Sequence, residues 1–237
     1  MHLLHHFRLF SPTLILVFLF LSNCTNEIKQ TNSPGIEPVS YLALGDSYTI
    51  GTGIDEKKNW PNQLSETLIS KNLTVDTTQV IAVNGWTTTD LKNGITETSP
   101  DSSFDLVSLL IGVNNQYQGL DIELYRTEFR ELIEQSIVFA KGDTSRVFVV
   151  SIPNYGVTPF GKYRDPEVIS KEITLYNDIA ENISGEFGIP FVNITPISEE
   201  AEDDSSLLAS DELHPSAKMY ALWVEEMIPT VTQIIQE

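Results

Sequence analysis

Gly45-Asp46-Ser47-Tyr48 near the front of the chain and Asp211-Glu212-Leu213-His214 near its end hold the residue types of nucleophilic acyl transfer. A serine hydroxyl is a weak nucleophile at neutral pH. It needs a base within hydrogen-bond reach, and the base needs a third group that fixes its tautomer. Ser47 as nucleophile, His214 as base and Asp211, three residues earlier in the same turn, as the orienting carboxylate would make that set. Gly85 offers a backbone N–H with no side chain to block an approaching acyl group. The side-chain amide of Asn114 offers another donor. Together with the Ser47 N–H these would form an oxyanion hole, where charge develops in the transition state.

Those residues act together only if the fold gathers them. The apolar, β-branched run Val39–Leu44 predicts a buried strand ending at Gly45. Further strands are predicted at Val80–Val83, Phe104–Ile111, Arg146–Ile152 and Phe191–Ile194. A helix capped by Asn59 is expected to run to about Lys71, with Leu64, Leu68 and Ile69 inward, and Trp60-Pro61 opening it. A second is expected over Asp121–Ala140, with Leu124, Phe129, Leu132, Ile133 and Ile137 on its apolar face. Two more are predicted over Pro166–Phe187 and from Pro215 onward. Such alternation implies an α/β domain over residues 39–237, with a mostly parallel five-stranded sheet covered on both faces. Ligands bind such sheets outside the carboxyl ends of the strands. Ser47, Gly85 and Asn114 follow the first three strands, and Asp211 and His214 follow the fifth, so all would emerge at one edge.

The chain resembles the SGNH (GDSL-type) hydrolase family. Four blocks stand in family order: Gly45-Asp46-Ser47, Gly85, Gly112-Val113-Asn114, and Asp211-x-x-His214-Pro215-Ser216. The resemblance implies a flavodoxin-like three-layer α/β/α fold and serine-esterase chemistry that uses no metal and no cofactor. Asp46 is expected to be structural, because it sits beside the nucleophile rather than facing it. One position departs: members often carry Asp after the Asn of the third block, and here it is Asn115. The change removes a charge near the oxyanion hole and keeps Asn114. No Gly-x-Ser-x-Gly elbow is present, which disfavours the α/β-hydrolase version of the chemistry.

The connection from Pro153 to Asp165 is long for a loop between a strand and a helix, and it would leave the sheet at the same edge. Its Tyr155 and Phe160, with Gly156 and Gly161 as pivots, are candidates to line a substrate pocket beside Tyr48, Trp86 and Tyr117. Equally, these aromatics could simply pack the loop onto the domain. A small-molecule, glycan or lipid ester is the expected substrate. The alternatives are a lysophospholipase or thioesterase acting on long acyl chains, and a non-catalytic lipoprotein that binds a glycan or lipid.

A formal net charge of -19 argues against nucleic acid, which calls for a basic face. The acids Glu199–Asp204 read as a solvated loop. Residues 1–23 read as a lipoprotein-type signal peptide: a short start carrying Arg8, an apolar run through Leu21, then Ser22-Asn23. Leu21-Ser22-Asn23-Cys24 resembles a bacterial lipobox, with Asn23 where Gly or Ala is preferred. Cys24 would then be lipidated, and residues 24–38 would tether the domain to a membrane of the cell envelope. Membrane contact is expected through that anchor only. The alternative is a soluble periplasmic or secreted protein. A monomer is favoured.

Overall fold

The computed structural model describes residues 38–101 and 103–236. The signal peptide, Cys24 and all but the last residue of the expected tether lie outside the described residues. Strand β1 (Val39–Gly45) is buried almost throughout. Strands β3 (Leu106–Leu110) and β4 (Val147–Val150) are buried on both faces, as strands between two helical layers must be. The fifth strand, β5, is short (Phe191–Val192). Strand β2 (Val75–Ala82) begins earlier than its sequence suggests, because it is an edge strand whose first residues are polar and solvated. Val83 lies beyond its end and is exposed.

The strand order is β2-β1-β3-β4-β5, and every pair is parallel. This is the flavodoxin-like doubly wound order, and the sheet is wholly rather than mostly parallel. The register aligns Gly45 with Ala82 on one side and with Leu110 on the other. The chain segments that follow these three residues therefore leave the sheet side by side.

Helix α1 (Ser47–Ile50) is a single turn directly after β1. In α2 (Trp60–Ser70), Asn59 Oδ1 accepts from the Asn62 N–H at 3.0 Å, and Trp60, Leu64 and Leu68 are buried. Ile69 is 53% exposed, since it falls about 100° round the helix from Leu68. Helix α3 (Thr88–Thr98) escapes the sequence reading because its polar, threonine-rich stretch with Gly94 has weak helix propensity. Its start does carry a signal, the capping box Thr87–Asp90. After the short α4 (Val113–Tyr117) comes α5 (Ile122–Phe139), which buries Tyr125 where Leu124 was expected; Leu124 is 40% exposed.

The 153–165 connection contains α6 (Pro159–Lys162) and leads into α7 (Pro166–Glu186). The acidic run is helical rather than a loop: it ends α8 (Thr195–Glu199) and continues as a 3-10 turn with Ala201 buried. Helix α9 (Ala217–Gln236) closes the described chain. It packs against α2, while α5 packs against both α3 and α7, giving the two helical layers. The Gln63 side-chain amide donates to the Ala217 carbonyl at 3.0 Å, tying α2 to the start of α9.

Candidate active site

Only glycine fits where β1 ends. A Cβ at Gly45 would lie 2.2 Å from Thr49 Oγ1 and 2.5 Å from the Leu110 carbonyl oxygen. Asp46 then caps α1, its Oδ1 accepting from the Tyr48 N–H at 3.0 Å. Ser47 is the first residue of the helix, so its N–H has no intrahelical partner. The Asp46 carboxyl is fully buried, its Oδ2 has no partner among the described residues, and burial pushes its pKa up to about 7.

Asp211 and His214 share one tight turn. Asp211 Oδ2 lies 2.7 Å from His214 Nδ1, while Oδ1 accepts from the backbone N–H of His214 at 2.9 Å and of Leu213 at 3.1 Å. Glu212 takes a left-handed φ of 57° to make this possible. Burial of Asp211 opposes its ionisation, but the hydrogen bonds from the His214 ring and from the two backbone N–H groups outweigh it and hold the carboxyl below its usual range. Gly53 backs the pair: a Cβ there would sit 3.2 Å from Asp211 Oδ2. On its other side the His214 ring meets Tyr48.

Asn114 stands at the start of α4 after Gly112, which takes a φ of 134°. One hydrogen of its amide goes to the Trp86 carbonyl at 2.9 Å, which leaves the other to be aimed elsewhere. Gly85 has a φ of 85°, and a Cβ there would meet no atom within 4 Å. Ser47, Asn114 and His214 line one cavity of about 250 Å³, bounded also by Tyr48, Asn84 and Val113. Tyr117, Tyr155, Phe160 and Leu213 complete its wall. The Ser47 hydroxyl has no hydrogen-bond partner within 3.5 Å among the described residues; such contacts commonly tighten only once substrate is bound.

Residues 43–222 match the GDSL-like lipase/acylhydrolase family. The chain belongs to this family. It is an SGNH hydrolase, and solved structures share its fold. TesA matches 82% of this chain and 99% of its own, with a TM-score of 0.63 at 14% identity. An acetylxylan esterase from Geobacillus stearothermophilus covers 83% of this chain and 96% of its own, with a TM-score of 0.62 at 18% identity. The esterase EstA from Pseudoalteromonas sp. covers 84% and 100%, with a TM-score of 0.61 at 16% identity. No curated protein matches in sequence.

In this SGNH hydrolase most of the expected site residues meet, and some do not. Tyr48, Tyr117, Tyr155 and Phe160 all face the cavity. Tyr155 is anchored from behind, its hydroxyl donating to Gln116 Oε1 at 2.9 Å. Trp86 does not line the cavity; its ring lies over Gly94 of α3, which has no room for a side chain beneath it. The expectation failed because α3, the surface that Trp86 covers, was not read from the sequence. Gly156 and Gly161 are needed for close packing. Neither has a positive φ, and a Cβ at Gly161 would lie 2.1 Å from the Tyr155 carbonyl oxygen, so close packing is what excludes side chains. Tyr163, on the same 153–165 connection, is 91% exposed and does not line the cavity. The cavity residues missed by sequence reasoning, Asn84, Val113 and Leu213, each adjoin a motif residue, and that adjacency was the available signal.

Proposed function

We propose that this enzyme hydrolyses short-chain carboxylic esters through an acyl-enzyme on Ser47. The observation that carries the reading is the 2.7 Å contact between Asp211 Oδ2 and His214 Nδ1, with His214 lining the same cavity as Ser47. With Nδ1–H donating to Asp211, Nε2 is the free base. It takes the Ser47 hydroxyl proton as Oγ bonds to the ester carbonyl carbon. The carbonyl oxygen becomes an oxyanion, held by the N–H groups of Ser47 and Gly85 and by the free hydrogen of Asn114. Collapse breaks the bond to the alkoxy group, which leaves with the proton from His214. Water, deprotonated by His214, then attacks the acyl-serine, and the carboxylic acid and free Ser47 are released.

A cavity of about 250 Å³ supports a short acyl group over a long one, since drug-sized ligands occupy roughly 300–1,000 Å³. Labelling by a fluorophosphonate, with Ser47→Ala as control, tests the nucleophile. Turnover of p-nitrophenyl esters from acetate to palmitate tests the acyl range. Folded protein that neither labels nor turns over any ester would favour a binding role, and a maximum at long chains would favour lipid substrates. The segment before the domain supports export and lipidation at Cys24. An alkyne-tagged fatty acid should label the full-length protein in cells and not its Cys24→Ala variant; equal labelling would refute the anchor.

A further inference from the structure

Asn115, the position that departs from the family pattern, has partners of its own. It is fully buried. Its Oδ1 accepts the Thr88 N–H at 3.0 Å, and its Nδ2 donates to Thr88 Oγ1 at 2.7 Å. The single hydroxyl proton of Thr88 goes on to Glu128 Oε2 at 2.6 Å. Thr89 Oγ1 also reaches Glu128, at 2.9 and 2.8 Å from its two oxygens. Glu128 projects from α5, is 6% exposed, and has Lys92 3.5 Å away. A carboxylate can only accept, and a hydroxyl has one proton to give. The relay therefore has a fixed polarity, from the Asn115 amide through Thr88 to Glu128.

We infer that Asn115 and Glu128 are a positioning pair that sets the oxyanion loop. Asn114 and Asn115 grip that loop at two points, the Trp86 carbonyl and Thr88, with Gly85 just upstream. This inference rests on the proposed roles of Gly85 and Asn114 as oxyanion donors. A carboxylate at position 115 sets two acceptors and two like charges on one hydroxyl, and the loop moves away from Asn114. An amide at position 128 reverses the polarity. The Asp at 115 then accepts both Thr88 protons, and the Gln at 128 donates to Thr88 Oγ1.

The test is a double-mutant cycle of Asn115→Asp and Glu128→Gln, reading kcat, KM and thermal unfolding with a short p-nitrophenyl ester. Asn115→Asp is expected to lower kcat about 30-fold with KM within about twofold, and the double variant to return within about fivefold of wild type. A double variant no faster than Asn115→Asp overturns the pair, as does a loss accounted for by unfolded protein alone. If Asn115→Asp does not fold, Thr88→Val reads the same relay: a matching kcat loss supports it and an unchanged kcat overturns it. Asn114→Ala separates the two readings. An unchanged kcat there refutes the oxyanion assignment itself, whereas a large loss without rescue in the cycle refutes only the pair.

Discussion

The Tyr48 ring centroid lies 5.6 Å from that of His214, with 57° between their planes. Tyr48 is buried and packs on Trp223 as well, at 6.5 Å. The imidazole is thus held at two places, by a carboxylate on Nδ1 and by an aromatic wall beside the ring. The Tyr48 hydroxyl has no hydrogen-bond partner among the described residues, so the ring is what matters. Tyr48→Ala should cost about 3–5 kcal/mol of stability through the cavity it leaves, and should lower kcat as well. Tyr48→Phe should stay within a few-fold of wild type. Urea unfolding and steady-state kinetics on both variants check this.

Asp211→Asn is close in shape to the native side chain and removes the carboxylate proposed to fix the His214 tautomer. A kcat loss of about 10³-fold or more is expected, with little change in KM. The shift also carries a sign for stability. The Asp211 carboxyl is held low by hydrogen bonds that outweigh its burial. Its stabilising contribution is present above the unfolded value of about 3.9 and is lost as pH falls through the lower folded value. The contribution of the Asp211 carboxylate to the stability gap between wild type and Asp211→Asn should therefore be lost only in strong acid, as measured by urea unfolding from about pH 8 down to about pH 2.

Asp46 has the opposite sign. Burial raises its pKa to about 7 in the folded protein, against about 3.9 unfolded. The protonated form suits the fold, so stability falls as pH rises from about 4 through 7, by a few kcal/mol in all. Asp46→Asn keeps an acceptor for the Tyr48 N–H and cannot ionise. It should gain stability over wild type between pH 5 and pH 8, read from unfolding midpoints at the two values. A constant difference would mean that Asp46 stays in one protonation state across this range.

Gly85→Ala forces a side chain into a left-handed conformation, at a cost of about 1–2 kcal/mol. The new methyl meets no protein atom within 4 Å, so a kinetic effect would fall on the proposed oxyanion N–H rather than on packing. The expected result is a modest fall in stability with at least about a tenfold loss in kcat, a loss larger than unfolding explains. Circular dichroism melts beside kinetics distinguish the two effects.

The fold was legible because its central strands are short, continuous apolar runs that end at glycine or proline, and because helices alternate with them. Ser47 stood out because it stands just past such a boundary, and His214 because it follows Asp211 by three residues just before Pro215 and the last helix. The edge strand was not fully legible, since half of it is solvated and carries no apolar period. Trp86 was misread because its packing surface is a helix of low intrinsic propensity. Glu128 was invisible for a different reason. Its partners lie 39 and 40 residues away, and one glutamate on an amphipathic helix looks like any solvated acid until those partners are known.

The bond from Gln63 to the Ala217 carbonyl joins the first long helix to the last. A ribosome delivers Ser47 early and the proposed base very late. On the proposed roles, a nascent chain carries Ser47 without its base for most of its length, and the base arrives just ahead of the helix that this bond ties to α2. Under the proposed mechanism, ester turnover would be a certificate of completed folding, since a partly made copy would lack the base that activates Ser47.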